Sequence, residues 1–248
     1  MSLSDEELER YARHIVIPQV GGIGQRKLKQ ARVAVVGAGG IGSAVIPALA
    51  GAGIGQLTII DDDVVAVSNL HRQLLFRERD AGYSKADLAL QFVHRLNHFV
   101  KATPVQVRVG TENAGQLLAD HDLVIDGSDN FATRLAVSDA CVALQQPLVS
   151  AAAVQFQGQV GLFHSKPCYR CFVGDAFDAD DCDNCAELGV LGALTGTVGN
   201  FAALLAINAI VGIGGDLAGK LHLFEGEKLS WREIRIPADP GCRSCGSA

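Results

Sequence analysis

The sequence predicts an α/β fold built on a parallel sheet, and three observations lead to that prediction. A run of β-branched and small apolar residues at 33–36 enters a glycine-rich turn at 37–42, and an apolar helical pattern follows. Further apolar runs of strand length then alternate with segments whose apolar residues recur at helical spacing. Two more strand-like runs flank Gly226 and predict a hairpin near the C-terminus. Together they predict an α/β unit of about 165 residues followed by a mixed C-terminal portion.

The predicted elements follow one another along the whole chain. A helix over 4–16 begins with a capping box, in which the side chains of Ser4 and Glu7 accept from each other's backbone N–H groups. Glycines at 21–24 are expected to end it. The other predicted helices are 25–30, 41–52, 85–97 with Ser84 as its cap, 131–145, and the uncharged segment 188–215. The predicted strands are 33–36, 57–61, 105–109, 123–126, 148–153, 159–163, 220–225 and 230–236.

Composition argues against several classes of protein. The chain has 248 residues, 48% of them hydrophobic, and a formal net charge of −6, so neither nucleic acid nor an acidic membrane surface is an expected partner. The N-terminus shows no secretory signal, which predicts a cytoplasmic protein. The uncharged segment 188–215 is long enough to span a bilayer. It lacks flanking basic clusters, however, so a helix buried in the core or in a subunit interface is the favoured interpretation.

The glycine-rich turn predicts a phosphate site. Its glycines let backbone N–H groups approach a phosphate at the N-terminus of the next helix. Asp61 ends the second predicted strand, about 20 positions further on, where an acidic residue accepts hydrogen bonds from ribose hydroxyls. These two features alone favour NAD. The glycines concerned are Gly37, Gly39, Gly40 and Gly42.

Further polar residues are expected beside the glycine turn, at the edge of the sheet where the parallel strands end, and they change the interpretation that favours NAD. Ligands of open α/β sheets bind beyond the carboxyl ends of the strands. The residues that this sequence brings there are Ser68, Asn69, Leu70, His71, Arg72, Gln73, Lys85, Asp129 and Asn130, with Arg13 available from the N-terminal helix. Several cations and a carboxylate able to hold Mg²⁺ suit a triphosphate that is being cleaved, which favours Mg·ATP over NAD. The alternatives are that Asp129 only caps a helix and that Lys85 is a mobile surface lysine.

The cysteines predict a second site. Six of the seven fall in three C-x-x-C pairs, namely Cys168/Cys171, Cys182/Cys185 and Cys242/Cys245. In the absence of a secretory signal, metal binding or sulfur chemistry is expected rather than disulfides. The first and third pairs lie in compact turns and predict a Cys₄ zinc site that ties the chain end back to the fold. Cys185 precedes the uncharged helix, whose dipole would stabilise its thiolate, so it is the predicted reactive cysteine. Alternatively, the middle pair supplies zinc ligands or is inert.

Taken together and in order, these motifs resemble those of one family. They are the glycine turn 37–42, the strand end at Asp61, SNLHRQ at 68–73, Lys85, DGSDN at 126–130, CYRC at 168–171 and GCRSCG at 241–246. Over almost the whole chain the sequence is similar to the MoeB/ThiF (HesA) family, the bacterial relatives of ubiquitin-activating enzymes. The resemblance implies a Rossmann-like parallel sheet continued by antiparallel strands, with a C-terminal Cys₄ zinc site, in a homodimer.

The resemblance also implies an activity. Members adenylate the C-terminal glycine of a small ubiquitin-like sulfur-carrier protein ending in Gly-Gly, consuming ATP and releasing pyrophosphate. By position, it assigns the nucleotide to Gly40, the ribose to Asp61, the phosphates to Asn69, Arg72 and Lys85, and Mg²⁺ to Asp129 with Asn130 beside it. It assigns zinc to Cys168, Cys171, Cys242 and Cys245, a reach into the neighbouring subunit's site to Arg13, and the position of a conditional active-site cysteine to Cys185.

The same resemblance sets expectations for organisation and partners. It implies a single domain over 1–248, with a nucleotide-binding part at 1–165, a zinc-bearing part at 166–248, and a mobile loop at about 172–184 that the carrier's tail crosses. Cys182 departs from the family pattern by adding a second thiol to that loop. Longer family members carry a sulfurtransferase domain, so a separate protein is expected to donate sulfur here.

Three functions from different classes remain in view. The first is an adenylyltransferase that activates a sulfur-carrier protein. For it, a MoaD-like carrier that serves molybdopterin synthesis is favoured over a ThiS-like carrier that serves thiamine synthesis, and the chemistry is the same with both. The second class is an NAD-dependent oxidoreductase, for which no proton relay is evident in the sequence. The third is a zinc-stabilised binding protein without turnover, which the intact set of Arg13, Arg72, Lys85 and Asp129 disfavours.

Overall fold

The computed structural model describes residues 2–174 and 188–246. The predicted reactive residue Cys185, its neighbour Cys182, and most of the loop predicted at 172–184 lie outside the described residues.

The described elements alternate between helix and strand through the first half of the chain. The helices are α1 (Asp5–Arg10), α2 (Ala12–Ile15), α3 (Gly21–Gln30), α4 (Gly42–Ala52), α5 (Lys85–Leu96), α6 (Ala114–Leu118), α7 (Phe131–Ala143), α8 (Tyr169–Val173) and α9 (Gly192–Val211). The strands are β1 (Arg32–Val36), β2 (Gln56–Ile60), β3 (Lys101–Val105), β4 (Leu123–Asp126), β5 (Leu148–Val154), β6 (Gln157–Phe163), β7 (Lys220–Glu225) and β8 (Ser230–Arg235). Short 3₁₀ helices occupy Val67–Asn69 and Glu78–Asp80.

All these strands belong to one sheet in the order β3-β2-β1-β4-β5-β6-β7-β8. The pairs from β3 through to β5 are parallel, and those from β5 to β8 are antiparallel. The prediction of a Rossmann-like parallel sheet continued by antiparallel strands is therefore confirmed. Strand order reverses between β1 and β4, and such a switch point opens a crevice at the carboxyl ends of the strands.

Apolar residues of the central strands are buried on both faces of the sheet. In β1, Val33 and Val35 pack in a core shared with α3, α4, α5 and α9. Ala34 and Val36 point the other way, into a core shared with α6 and α7. Burial on both sides explains why the central strands have continuous apolar runs rather than an alternating pattern.

The uncharged segment forms α9, which packs against α4, β5 and β6. It is shorter than the predicted 188–215. By length and apolar composition α9 could cross a membrane, and half of its most apolar window is buried within the chain.

Most element predictions are confirmed to within a few residues, including the capping box of Ser4 and Glu7 and the Ser84 cap. The third strand is an exception, because it runs over Lys101–Val105 rather than 105–109. It contains Pro104, and a proline is tolerated there because β3 is an edge strand. The prediction that the glycines at 21–24 only end the first helix is also wrong, since they form the first turn of α3.

The packing of α9 on β6 gives a test of the fold. A Cβ added at Gly158 would lie 2.3 Å from Cγ2 of Val198, a side chain with no exposed surface. We expect Gly158→Ala to lower the free energy of unfolding by about 1–3 kcal/mol through overpacking. In the double variant with Val198→Ala, the free energy of unfolding should fall by less than the sum of its decreases in the two single variants, as measured by denaturant unfolding.

Gly115→Ala is the matched control, because a Cβ there would meet nothing within 4 Å. It should leave stability unchanged or raise it slightly, since alanine favours a helix more than glycine does. Strict additivity of the two losses at 158 and 198 would contradict the described packing.

Candidate active site and metal centre

The glycine turn lies at the switch point between the ends of β2 and β4. Gly37 follows β1 with φ +90°, and its N–H donates to the carbonyl of Ile60 at 2.8 Å. A Cβ on Gly37 would lie 3.1 Å from the carbonyl oxygen of Gly127. Both the positive φ and the close approach require glycine at this position.

Unpaired backbone donors follow this glycine. Among the described residues, no amide N–H from residue 39 to residue 42 donates a hydrogen bond to another group. These donors are at the N-terminus of α4, where the helix dipole favours negative charge. Gln73 borders them: it is 3% exposed, and its Nε2 is 3.7 Å from a Cβ built on Gly39. The turn therefore offers hydrogen-bond donors that an anion could accept from.

Asp61 is held facing the glycine turn. Its Oδ2 accepts from the N–H of Ala38 at 2.6 Å, and its Oδ1 accepts from the N–H of Asp63 at 2.9 Å. Burial raises the pKa of Asp61, while the charge of Lys85 and these two hydrogen bonds oppose the rise. Each carboxylate oxygen keeps a lone pair with which it can accept a further hydrogen bond, such as one from a ribose hydroxyl.

Lys85 is held close to the same edge by Asp63. Its Nζ lies 2.8 Å from Oδ2 of Asp63, and its backbone N–H donates to the Asp63 carbonyl at 3.1 Å. The lysine side chain is 5% exposed and the aspartate side chain 69% exposed. Lys85 is thus a fixed, buried cation rather than a mobile surface lysine. Asp63 was not among the predicted site residues, although it is the last of three consecutive aspartates after β2.

Residues 68–73, the Arg72 segment, form a compact hydrogen-bonded turn beyond β2. The carbonyl of Asn69 accepts from the N–H groups of Arg72 and Gln73, both at 3.0 Å. Nη1 of Arg72 lies 2.9 Å from Nε2 of His71 and donates to the carbonyl of Ser68 at 3.3 Å. Leu70 packs against the apolar core and anchors the segment.

The first turn of α9 packs against this edge of the sheet, and its residues were not among the predicted site residues. A Cβ on Gly192 would lie 2.1 Å from the carbonyl oxygen of His71, so only glycine fits. A Cβ on Gly40 would lie 3.0 Å from Cγ2 of Thr195. The helix therefore touches both the glycine turn and the Arg72 segment.

The turn after β4 presents Asp129 at the same edge. Asp129 is exposed, and within the described residues its carboxylate makes no ion pair or hydrogen bond. Asn130, not Asp129, caps α7, since its side chain accepts from the N–H of Thr133 at 2.9 Å. The alternative of Asp129 as a helix cap is therefore wrong, and both of its oxygens are available to a metal ion.

Two buried charges lie beneath this turn, and neither was among the predicted site residues. Burial raises the pKa of Asp126, although the charge of Arg134 opposes the rise. Burial alone would lower the pKa of Arg134, but the Asp126 carboxylate, the Tyr169 side chain and the Asp129 charge together outweigh it and raise that pKa. Arg134 carries a sequence signal: a cation in the first turn of a helix opposes the dipole and requires a partner.

Among the described residues predicted to contact the nucleotide or its phosphates, Arg13 does not lie at this edge. It is an exposed residue of α2. Its neighbour Tyr11 packs at Gly53, the C-cap of α4, where its hydroxyl accepts from Nδ2 of Asn97 at 2.8 Å. The glycine turn precedes the other end of α4, about 16 Å away along the helix axis.

The first and third cysteine pairs meet in a compact cluster. The Sγ atoms of Cys168, Cys171, Cys242 and Cys245 all lie within 4.8 Å of one another. The separations are 3.6 Å for Cys168–Cys242, 3.4 Å for Cys171–Cys245 and 4.0 Å for Cys168–Cys171. Tetrahedral zinc with Zn–S bonds of 2.3 Å requires S–S separations of about 3.8 Å, so the four sulfurs fit that ion.

The surroundings of the cluster shift the pKa values of its thiols in opposite directions. Burial raises the pKa of Cys168. At Cys242 burial also acts to raise the pKa, but hydrogen bonds with the backbone of Cys245 and Ser244 and with the side chains of Cys168 and Cys245 together outweigh it and lower the pKa. The N–H of Asp239 donates to Sγ of Cys171 at 3.4 Å. Such outer hydrogen bonds orient metal-binding sulfurs.

Known proteins are similar to this chain in sequence. A sequence profile of the ThiF family matches residues 11–244. A Thermus thermophilus relative named sulfur carrier protein adenylyltransferase is 43% identical, covering 99% of this chain and 93% of its own. The Escherichia coli K12 protein named molybdopterin-synthase adenylyltransferase is 37% identical, covering 98% of each.

A solved structure shares the fold at lower identity. The crystal structure of E. coli MccB with ATP superposes with a TM-score of 0.84 at 23% identity, over 96% of this chain and 75% of that one. From the profile match over 11–244 and the identity to relatives of similar length, the chain belongs to the ThiF family.

Proposed function

We propose that this chain adenylates the C-terminal glycine of a ubiquitin-like sulfur-carrier protein ending in Gly-Gly, using ATP and releasing pyrophosphate. The observation that carries the proposal is the meeting of unpaired amides, the Asp61 carboxylate and the Lys85 ammonium at one sheet edge. The names of the T. thermophilus and E. coli relatives support the same activity.

In the proposed complex, ATP lies along this edge with its phosphates over the glycine turn. Asp61 accepts from the ribose hydroxyls, and the N–H groups at the start of α4 donate to phosphate oxygens. The other residues proposed to contact the nucleotide are Gly37, Gly39, Gly40, Gly42, Ser68, Asn69, Leu70, His71, Arg72, Gln73, Lys85, Asp129 and Asn130.

The chemistry is a displacement at the α-phosphorus. A carboxylate oxygen of the carrier's terminal glycine attacks it, and the bond to the oxygen bridging the α- and β-phosphates breaks. Pyrophosphate leaves with that electron pair, and Arg72 and Lys85 stabilise the charge that develops on it. The product is an acyl-adenylate, a mixed anhydride open to attack by a sulfur nucleophile.

Asp129 is proposed to hold Mg²⁺, with Asn130 beside it. The exposed, unpaired carboxylate fits an ion that takes one or two protein carboxylates and completes its shell with phosphates and water. Mg²⁺ bound there would neutralise part of the charge on the phosphates.

Carrier-dependent ATP–pyrophosphate exchange tests the proposal. We expect Asp129→Ala to reduce exchange by about a hundredfold or more, because the developing charge loses its stabilisation. Cys185→Ala should leave exchange largely intact, since sulfur chemistry follows adenylation.

Asp122→Ala is the matched control for this test. Asp129 follows the carboxyl end of β4, whereas Asp122 precedes the amino end of that strand and pairs with Arg32 at 3.0 Å. Pyrophosphate exchange should therefore persist in Asp122→Ala. Absence of exchange by the folded wild-type protein with every Gly-Gly-ending carrier would refute the activity. Loss of exchange in Cys185→Ala would refute the separation of the two steps.

We further propose a homodimer in which Arg13 serves the partner's site. In its own chain Arg13 lies near the end of α4 remote from the glycine turn. Large apolar side chains are exposed close by in sequence, with Val16 71% and Ile23 67% exposed, and Leu204 of α9 is 54% exposed. An uncovered apolar surface of this kind suits a subunit interface.

Complementation in trans tests the shared site. Arg13→Ala and Asp129→Ala should each be inactive as homodimers. After subunit exchange, heterodimers carry one intact site, so mixing should restore about a quarter of wild-type exchange. Activity that stays absent after confirmed subunit exchange would contradict the assignment of Arg13 to the partner's site.

The Cys₄ cluster is proposed to bind a structural zinc. Cys171→Ser and Cys245→Ser should each reduce bound metal from about one zinc per chain to a small fraction of that, and lower Tm by several degrees. Cys141→Ser is the control, because that thiol is buried outside the cluster. Zinc content and thermal unfolding measure the effects, and unchanged zinc in both ligand variants would exclude the site.

For the carrier, we propose a MoaD-like protein that serves molybdopterin synthesis. The name of the E. coli relative supports this choice. A ThiS-like carrier, serving thiamine, would undergo the same chemistry, and comparing the two carriers in the exchange assay distinguishes them. Sulfur is proposed to come from a separate protein, with Cys185 as the candidate for any covalent intermediate.

A further inference from the structure

Arg134 has an unusual position for a cation. It lies in the first turn of α7, is 6% exposed, and opposes the dipole of that helix. Its guanidinium donates to the carbonyl of Ser128, to Oγ of Ser150 at 3.4 Å and to the carbonyl of Ala151 at 3.1 Å. One side chain therefore joins the turn after β4 to the neighbouring strand β5.

Asp126 holds the same turn from its other end. It is the last residue of β4 and has no exposed surface. Its Oδ1 accepts from the N–H of Ser128 at 3.0 Å and from Oγ of Ser128 at 2.6 Å. Its Oδ2 is buried without a hydrogen-bond partner in the described part of the chain. Burying this carboxylate costs desolvation free energy, and a β-strand does not require a carboxylate at its last position.

Both charges act on Ser128, the residue before Asp129. Asp129 makes no ion pair or hydrogen bond through its side chain among the described residues, and the charge of Arg134 acts on it only from a distance. The backbone of the turn therefore sets where its carboxylate lies. The next residue, Asn130, is fixed by its cap to Thr133. Gly127 also abuts the glycine turn, because a Cβ on Gly37 would lie 3.1 Å from its carbonyl oxygen.

We propose that Arg134 and Asp126 are positioning residues for adenylation, which together hold the turn 127–130 so that Asp129 meets the metal–nucleotide complex. The inference rests on the proposed function, in which Asp129 binds Mg²⁺. Neither residue touches substrate: Arg134 acts through the carbonyl of Ser128, and Asp126 acts through its amide and hydroxyl.

The test compares Arg134→Lys and Asp126→Asn with the wild type. Lysine keeps the charge but cannot serve the acceptors of the turn and of β5 together with the Tyr169 side chain of α8, as a guanidinium does. The apparent KM for Mg²⁺ in pyrophosphate exchange should rise about tenfold or more, while the KM for the carrier stays close to wild type. In the protein without ligands, hydrogen exchange in the turn 127–130, read at the hydrogen-bonded amides of Gly127 and Ser128, should accelerate about tenfold, while that of β4 does not.

Asp139→Asn is the matched control. Asp139 lies on the same helix and forms a two-point ion pair with Arg170, with both N–O distances at 2.7 Å. It is remote from the turn, so this variant should leave the Mg²⁺ dependence and the exchange of amides 127–130 unchanged. An equal effect in Asp139→Asn would mean that any damage to α7 suffices, and would overturn the proposal.

The outcomes separate this inference from the proposed function. If wild-type protein shows no carrier-dependent exchange, the activity is refuted, and unaltered hydrogen exchange at 127–130 in both variants refutes the positioning pair independently. If the wild type is active and the variants keep its Mg²⁺ dependence, only the positioning role is overturned. Should neither variant fold, Ser128→Ala removes one hydrogen bond, and a KM for Mg²⁺ that does not rise would overturn the proposal.

Discussion

The close approach of α9 to the glycine turn is the constraint on which the rest of the structure depends. Gly199 leaves room for the carbonyl of Ile41, which a Cβ would approach to 2.6 Å, and Gly192 does the same for His71. The helix that fills the core beside β5 and β6 therefore also borders the sheet edge at which the glycine turn lies. Interiors packed this closely transmit displacements rather than absorb them, so the turn and the Arg72 segment are positioned by core packing.

Charge is distributed differently on the two sides of the switch point. Beyond β2, Lys85 is buried and its partner Asp63 is largely exposed. Beyond β4, Asp126 and Arg134 are both buried. These two charges form no direct ion pair within the described residues, although the charge of each shifts the pKa of the other. Burying such charges costs desolvation free energy, so they are better explained by the conformation they specify than by stability. Here that conformation is the turn that presents Asp129.

The cysteine cluster is connected to this turn through α7 and α8. Arg170 lies between two of the cluster's cysteines in sequence and pairs with Asp139 on α7. Tyr169, next to Cys168, neighbours the guanidinium of Arg134 and packs edge-on against Phe163. A metal ion in the cluster would thus fix the C-terminal segment and also support the helix that begins just after Asp129.

The sequence by itself determined the features that depend on neighbours in the chain. The strand and glycine turn at 33–42, the caps at Ser4 and Ser84, and the C-x-x-C spacing all express local geometry, and all are confirmed. Tertiary structure alone decided that Arg134 reaches β5, that Gly192 meets His71, and that the strand at Pro104 is an edge strand. These contacts join residues far apart in the chain, and local propensity and spacing do not encode which strands or helices become neighbours.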